Sequence, residues 1–349
     1  MRSFEPAPKH LDEVASPEWL SAILSGQRGD LRVNAVQTLE VLATQATKVR
    51  LALDIVEDGE ASRIQICIKG VLTDTGASSA TSIMETLFYR DLADAMPVRR
   101  PERLYAQMSA DNSRGVVVMR DLIADGAHFC TALSPFTADA AAEGLEQLAA
   151  LHVAGAASTP AYESPWIGRF LDRVAEAPIL SVADLQALLD GPRGTGLPPA
   201  LLSAERLHRA IALLADYMRA EHNCLLHGDA HAGNVYRDAE GRLGLVDWQV
   251  IQKGHWAQDV AYHIAAVLTP EDRRTHERQL LDHYIDHVKA LGGQPIDREK
   301  GWHDYRLGMV YGYYLWSITR KVEPQITHEF VRRLGTAVAD LESFEALNC

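Results

Sequence analysis

Between residues 33 and 69 the apolar positions recur at every second residue. Leu51, Leu53 and Ile55 form one row, Ile64, Ile66 and Ile68 a second, and Glu57, Asp58, Gly59 and Glu60 stand between them. A period of two lines side chains up on one face of a pleated sheet, so two strands joined by a tight turn are expected. The same alternation puts Cys67 and Lys69 together on the opposite face. Upstream, Ser16 and Pro17 mark a helix start and Gly26 a stop, which predicts a helix over residues 17–25. Residues 79–95 read as a helix halted before Pro97. Two more strands, over 103–108 and 116–119, flank the turn-forming run Asp111, Asn112, Ser113, Arg114 and Gly115.

Beyond residue 121 the period lengthens. Leu145, Leu148 and Leu151 share a face of a helix over 138–152, and residues 201–218 repeat that spacing. Residues 191–199, rich in glycine and proline, form a surface loop. Strand signals return only at 235–237 and 243–246, and from residue 256 the chain is mostly helical. No internal repeat or low-complexity tract interrupts this order. The fold class predicted is α+β with two lobes: an antiparallel sheet carrying one inserted helix over residues 1–120, and a mainly helical second lobe over 121–349. Ligands tend to bind where such lobes meet.

Composition narrows the function. The 349 residues fit about two units at ~150 each, and 47% hydrophobic with 23% charged is an ordinary globular balance. Lysine and arginine total 34 against 47 acids, a net charge of −13 that repels phosphate backbones and anionic lipids. Neither a nucleic-acid partner nor a membrane surface is expected, and a cationic substrate is compatible with this field without being established by it. The four cysteines contain no C-x-x-C pair, which fits a reducing compartment. The N-terminal residues lack an apolar run, and the uncharged stretch 307–319 is shorter than the ~20 apolar residues a bilayer span needs. A cytoplasmic location follows as the expectation. The sequence is silent on oligomeric state.

The densest polar cluster runs from Leu225 to Tyr236 and contains His227, Gly228, Asp229, His231 and Asn234. Asp247, Trp248 and Gln249 follow across the short hairpin. The hairpin can fold Asp247 back beside Asn234, so two carboxylates and an amide converge as hard oxygen ligands of the kind magnesium prefers. The pattern H-G-D-x-x-x-x-N, then a strand ending D-W-Q, resembles the aminoglycoside phosphotransferase and choline kinase group, and most closely its ecdysteroid-kinase-like branch. These are small-molecule relatives of the protein kinases, whose own loop reads H-R-D-x-x-x-x-N and whose metal aspartate opens D-F-G.

The resemblance implies a protein-kinase-like fold and an ATP- and Mg2+-dependent phosphotransferase acting on a hydroxyl of a small organic molecule. It makes Asp229 the base that receives the hydroxyl proton, Asn234 and Asp247 the magnesium ligands, His227 a scaffold for the loop and Asp259 the buried aspartate propping it. Upstream, Lys69 resembles the phosphate-gripping lysine, with Cys67 lining the adenine pocket. Glu85, in an E-x-x-F-Y run like that of the ecdysteroid-kinase-like proteins, resembles the carboxylate pairing with Lys69. Met119, Arg120 and Asp121 resemble the hinge whose backbone meets adenine. Residues 148–152 look like the family's L-A-x-L-H element, with His152 read as a packed residue, and Trp248 is likewise read as packing. The turn over residues 43–48 departs from the pattern because it has no glycine, leaving Thr44 or Thr47 hydroxyls to cap phosphates.

Two other readings compete. His227, Asp229 and His231 with His255, Asp259 and His263, the last three at helical spacing, suggest a transition-metal hydrolase, which would hold stoichiometric zinc. A catalytically silent nucleotide-binding module is the other. The acceptor stays open among steroid-like, choline-like, sugar-like and antibiotic alcohols. An aminoglycoside is expected to require acids for its ammonium groups, and Tyr311, Tyr313, Tyr314 and Trp316 are candidates for contact but fit the core better.

Overall fold

The alternating rows become strands. The computed structural model describes residues 4–28, 30–43, 46–72, 79–220 and 223–349. Strands β1 (Leu31–Ala43), β2 (Thr47–Glu57), β3 (Glu60–Gly70), β4 (Arg103–Met108) and β5 (Gly115–Arg120) pair antiparallel in the order β1-β2-β3-β5-β4. Register sets Leu51 opposite Ile66, Val49 opposite Ile68 and Lys48 opposite Lys69. Asp58 and Gly59 both adopt positive φ (50° and 85°), the geometry of a two-residue hairpin turn. The outer face of the sheet buries Val49, Leu51, Leu53, Ile55, Ile66 and Ile68 against Leu20 and Ile23 of a helix. Lys48, Cys67, Lys69 and Met119 occupy the inner face.

That covering helix, α2 (Pro17–Arg28), follows a short α1 (Leu11–Val14), and Ser16 Oγ caps it by accepting the Trp19 amide at 3.2 Å. It passes through Gly26 rather than ending there, because an interior glycine costs a helix only ~1 kcal/mol, too little to stop one. The helix expected over 79–95 is regular only as α3 (Ser79–Leu87). A wide π turn (Phe88–Leu92) and a 3-10 turn (Ala93–Ala95) continue it, with Phe88 and Tyr89 both buried.

The remaining helices are α4 (Ala138–Ala154), α5 (Phe170–Glu176), α6 (Val182–Leu189), α7 (Ala204–Tyr217), α8 (Ala257–Val267), α9 (Pro270–Ala290), α10 (Arg298–Ile318), α11 (Pro324–Asp340) and α12 (Ser343–Ala346). Two short pairings lie among them: β7 (Asn223–Leu226) with β10 (Gln252–His255), and β6 (His128–Phe129), β8 (Val235–Arg237) and β9 (Leu243–Leu245) in one small sheet. Every residue of α8 is buried, so it is the axle of the helical body, apolar on all sides except where it carries Gln258, Asp259, Tyr262 and His263. The long uncharged stretch belongs to α10 and is uncharged because it is core. Among the described residues no helix is long and apolar enough to cross a membrane. The architecture is the bilobal kinase-like α+β fold, with the sheet ending at Arg120 and the helical body beyond it.

Candidate active site

β7 delivers His227 into a loop held from beneath by Asp259 of α8. This carboxylate is fully buried, and its oxygens accept the backbone amides of His227 (2.7 Å) and Gly228 (2.9 Å). His152 Nε2 lies 3.3 Å from the same carboxylate. Gly228 has φ of 79°, and a Cβ there would collide with the Val250 carbonyl oxygen, so only glycine fits. Tyr311 donates its hydroxyl to the Gly228 carbonyl at 2.7 Å. His227 accepts the Asp229 amide on Nδ1 (3.2 Å), which leaves the proton on Nε2 to be donated to the Val246 carbonyl (3.0 Å). Both ring nitrogens are thus spent on backbone.

Asp229 and Asn234 face each other across the loop. Asn234 Nδ2 donates to the Asp229 carbonyl (2.8 Å) and carboxylate (3.0 Å). The Tyr262 hydroxyl donates to the other Asp229 oxygen at 3.0 Å and accepts Trp316 Nε1 at 2.6 Å. A backbone bond from Val246 N to the Asn234 carbonyl (3.0 Å) closes the hairpin and sets Asp247 beside Asn234. Asp247 itself is left-handed, with φ of 68°.

Across the cleft, Lys69 Nζ lies 2.7 Å from Asp247 Oδ1 and 2.5 Å from Glu85 Oε2. Lys48, its cross-strand neighbour, lies 3.9 Å from Asp247 Oδ2. Two side chains explain how residues so distant in sequence meet. Glu85 and Phe88 are a helical turn apart, and Phe88 stacks on Trp248 at 4.0 Å and 11°, next to Asp247.

Two cavities meet at Lys69 and Asp247. One of about 230 Å³ lies under the sheet, lined by Cys67, Met119, Arg120, Asp121, Leu122 and Glu85 among others. The other, about 630 Å³, opens between Asp229, His231, Asn234 and Trp316 on one side and the segment after α10 on the other. Ala46 reaches it, while Thr44 falls outside the described residues.

Residues 85–302, more than half of the chain, match the Phosphotransferase enzyme family. The chain belongs to that family. It is a small-molecule kinase, in the group that holds the aminoglycoside and choline kinases. Solved structures similar to it include the choline kinase LicA from Streptococcus pneumoniae (15% identity, 93% of this chain and 98% of that one, TM-score 0.49). A Plasmodium vivax ethanolamine kinase (11%, 88% and 82%, 0.49) and a spectinomycin phosphotransferase solved with ADP and spectinomycin (12%, 95% and 99%, 0.48) are others. No curated protein matches the chain by sequence.

The phosphotransferase holds its site charges firmly. Burial alone would push Asp229 up, but His231, with Nε2 at 3.6 Å, outweighs it and keeps the carboxyl below its usual range. Asp247 is held at about 2, because Lys69 and Lys48 overcome the upward push of burial. Lys69 is raised, since its two carboxylates outweigh burial. Burial lifts the Cys67 thiol to about 11 and lowers His227, which therefore stays neutral.

The backbone near the expected hinge is largely engaged. Arg120 N–H goes to the Glu102 carbonyl, Asp121 N–H to Gln65, and the Asp121 carbonyl accepts from Asp125. The side chains are engaged too, Arg120 with Asp125 and Asp121 with Arg50. Leu122, one residue on, lines the same cavity, and its N–H makes no hydrogen bond among the described residues. The hydrolase constellation does not assemble. His255 sits on β10 rather than a helix, with Nε2 3.6 Å from Asp304, and His263 Nδ1 bonds the Ala230 carbonyl. The one metal-competent trio among the described residues, Glu146, His283 and His287, lies elsewhere. Of the four aromatics on α10 only Trp316 lines a cavity; Tyr311 holds Gly228 and Tyr313 bonds the Leu201 carbonyl. Sequence reading missed Tyr262 and the engagement of His152. Tyr262 lies three residues after Asp259, one turn along α8, and that spacing was the available signal.

Proposed function

We propose that the protein transfers the γ-phosphoryl group of ATP to a hydroxyl of a small organic molecule, with Mg2+ as the metal, across the junction of a 1–120 lobe and a 121–349 lobe. The supporting observation is the 2.7 Å contact from Lys69 to Asp247, which joins the sheet to the helical body at the meeting point of two cavities.

Asp229 accepts the hydroxyl proton as the acceptor oxygen bonds phosphorus and the bond to the β-phosphate oxygen breaks, releasing ADP. Asp229 Oδ2 has Asn234 as its one protein donor, which leaves a lone pair for the substrate, while Oδ1 faces Tyr262 and His231. Lys69 spends two of its three N–H bonds on Glu85 and Asp247 and offers the third to phosphate oxygens. Glu85 positions it. The donor set fits magnesium: Asn234 commits its amide hydrogens to Asp229, which turns its carbonyl oxygen outward from that bond, beside the Asp247 carboxylate. When bound, Mg2+ supplies neutralisation of the phosphate charge. His227 and Asp259 act through the loop they hold. The smaller cavity takes adenine between Cys67 and Met119, beside Arg120 and Asp121, with the Leu122 N–H as the backbone donor.

Calorimetry tests the metal and nucleotide assignment. The wild-type protein is expected to bind ATP in a magnesium-dependent way, and Asp247→Ala to lose that dependence. Unchanged magnesium-supported affinity in the variant removes Asp247 from its role.

A further inference from the structure

The acceptor cavity has the wrong chemistry for an ammonium substrate. Asp229 and Asp247, both committed to phosphoryl transfer in the reading above, are the only carboxylates among its lining residues. The rest of its wall is chiefly apolar: Ala132, Phe170, Ile179, Leu315, Ile326 and Phe330. Ile179 and Val322 remain 51% and 41% exposed at its edge, apolar surface that a bound molecule would cover. Trp316 and Phe330 do not form the open cage that encloses a quaternary ammonium. They stack on each other at 4.1 Å and 29° and are both buried, so the ring faces are spent on each other.

Cations complete the wall. Arg320 and Lys321 lie in the link between α10 and α11, line the cavity, and make no ion pair or hydrogen bond among the described residues. The carbonyl end of α10 does not neutralise them, because Arg193 donates to the Trp316 and Ser317 carbonyls. Arg320 is close enough to press the Arg193 pKa down, after burial itself. The carboxylate on the α11 wall, Glu329, is taken by Arg332 and Arg333. Positive charge without an ion pair among the described residues therefore stands at the mouth of an apolar pocket, on a protein whose overall charge is −13.

Resting on the kinase reading, we infer that the acceptor is an alcohol on a bulky apolar body that carries an anionic group at its far end, read by Arg320 and Lys321. The apolar body lies along Ile179, Leu315, Val322 and Ile326, with Trp316 at its inner end and its hydroxyl at Asp229. A volume of about 630 Å³ suits a drug-sized molecule of this shape.

Four probes test this: biphenylmethanol, the same alcohol with a carboxylate on the far ring, the same with an aminomethyl group there, and choline. ATP turnover is expected to rank carboxylate above neutral above aminomethyl by about tenfold per step, with choline inert. In the double variant Arg320→Ala, Lys321→Ala the lead of the carboxylate over the neutral alcohol falls to near one. Preference for the aminomethyl probe or choline, or an undiminished lead in the double variant, overturns the assignment and leaves the kinase reading intact. Binding calorimetry of the same probes in the presence of ADP ranks them without chemistry. Carboxylate preference there without turnover of any probe counts against the kinase reading and supports the pocket assignment, while equal or absent binding overturns the latter.

Discussion

Asp259 and Asp247 are the same residue, both next to the 227–234 loop, yet their surroundings differ in kind. Both Asp259 oxygens receive backbone amides, at 2.7 and 2.9 Å, and nothing about that bracket can be exchanged for a ligand without unfolding the loop. Asp247 is held by lysine side chains, one of which also serves Glu85, and side-chain partners can swing toward a phosphate. One buried carboxylate fixes a backbone, and the other is held by side chains alone. Burial and charge alone do not tell these apart; the identity of the donor does.

The largest effect expected follows from the ligand-facing side. Asp229→Asn keeps the shape but loses the proton acceptor and one of the two oxygens that accept from Asn234 and Tyr262, so turnover is expected to fall by ~10²–10⁴ while stability drops by only about 1–3 kcal/mol. Steady-state kinetics and unfolding on one preparation check both halves. Turnover close to wild type removes Asp229 as the base.

Next comes Asp259→Ala, which strands two buried backbone N–H groups. At about 1–3 kcal/mol for each donor left unpaired, roughly 2–5 kcal/mol of stability should go. Urea unfolding measures it, and a loss under about 1 kcal/mol would show that the bracket is not structural.

Much of this contrast could be read in advance, and some could not. That Lys69, Glu85, Asp229, Asn234 and Asp247 come together was legible from a motif whose resemblance carries its spacing, and period two alone put Cys67 and Lys69 on one face. Phe88 and Trp248 sat inside the same motifs, yet their stacking joins residues 160 apart in sequence and only the fold reveals it. The irregular turn after α3, the run-through of α2 at Gly26 and the engaged backbone of Arg120 and Asp121 are outcomes of tertiary packing and pairing, which local pattern does not encode. The hydrolase reading failed for a related reason: histidines at helical spacing along the chain bonded to backbone instead of to one another.

A pH titration separates the two sides by window. Burial lowers His263 to about 4 and also lowers His227. An unfolded histidine takes a proton near 6.5, so between 6.5 and about 4 the unfolded state binds more protons and stability falls as pH falls. At ~1.4 kcal/mol per unit, His263 contributes up to about 3 kcal/mol, fully present above pH 6.5. Asp247 also has its folded pKa depressed, but its contribution is lost in a lower window, below the ordinary carboxylate range and toward 2. Urea midpoints from pH 7.5 to 4.5 should slope downward, and His263→Asn should flatten the slope. A flat wild-type profile would contradict the buried neutral histidines.

The smallest effect probes the edge of the bracket. His152 reaches Asp259 at 3.3 Å, a long contact, and its other nitrogen meets the Tyr284 hydroxyl at 2.8 Å. The two amide bonds to Asp259 are shorter and survive without it, so His152→Gln should cost only about 1 kcal/mol, the worth of one ordinary hydrogen bond. Because the loop backbone stays pinned, turnover should change less than about threefold under the same reasoning. A large fall in turnover at unchanged stability would break the contrast between the two aspartates, since it would mean that the orientation of Asp259, and through it the loop, is tuned from behind by α4.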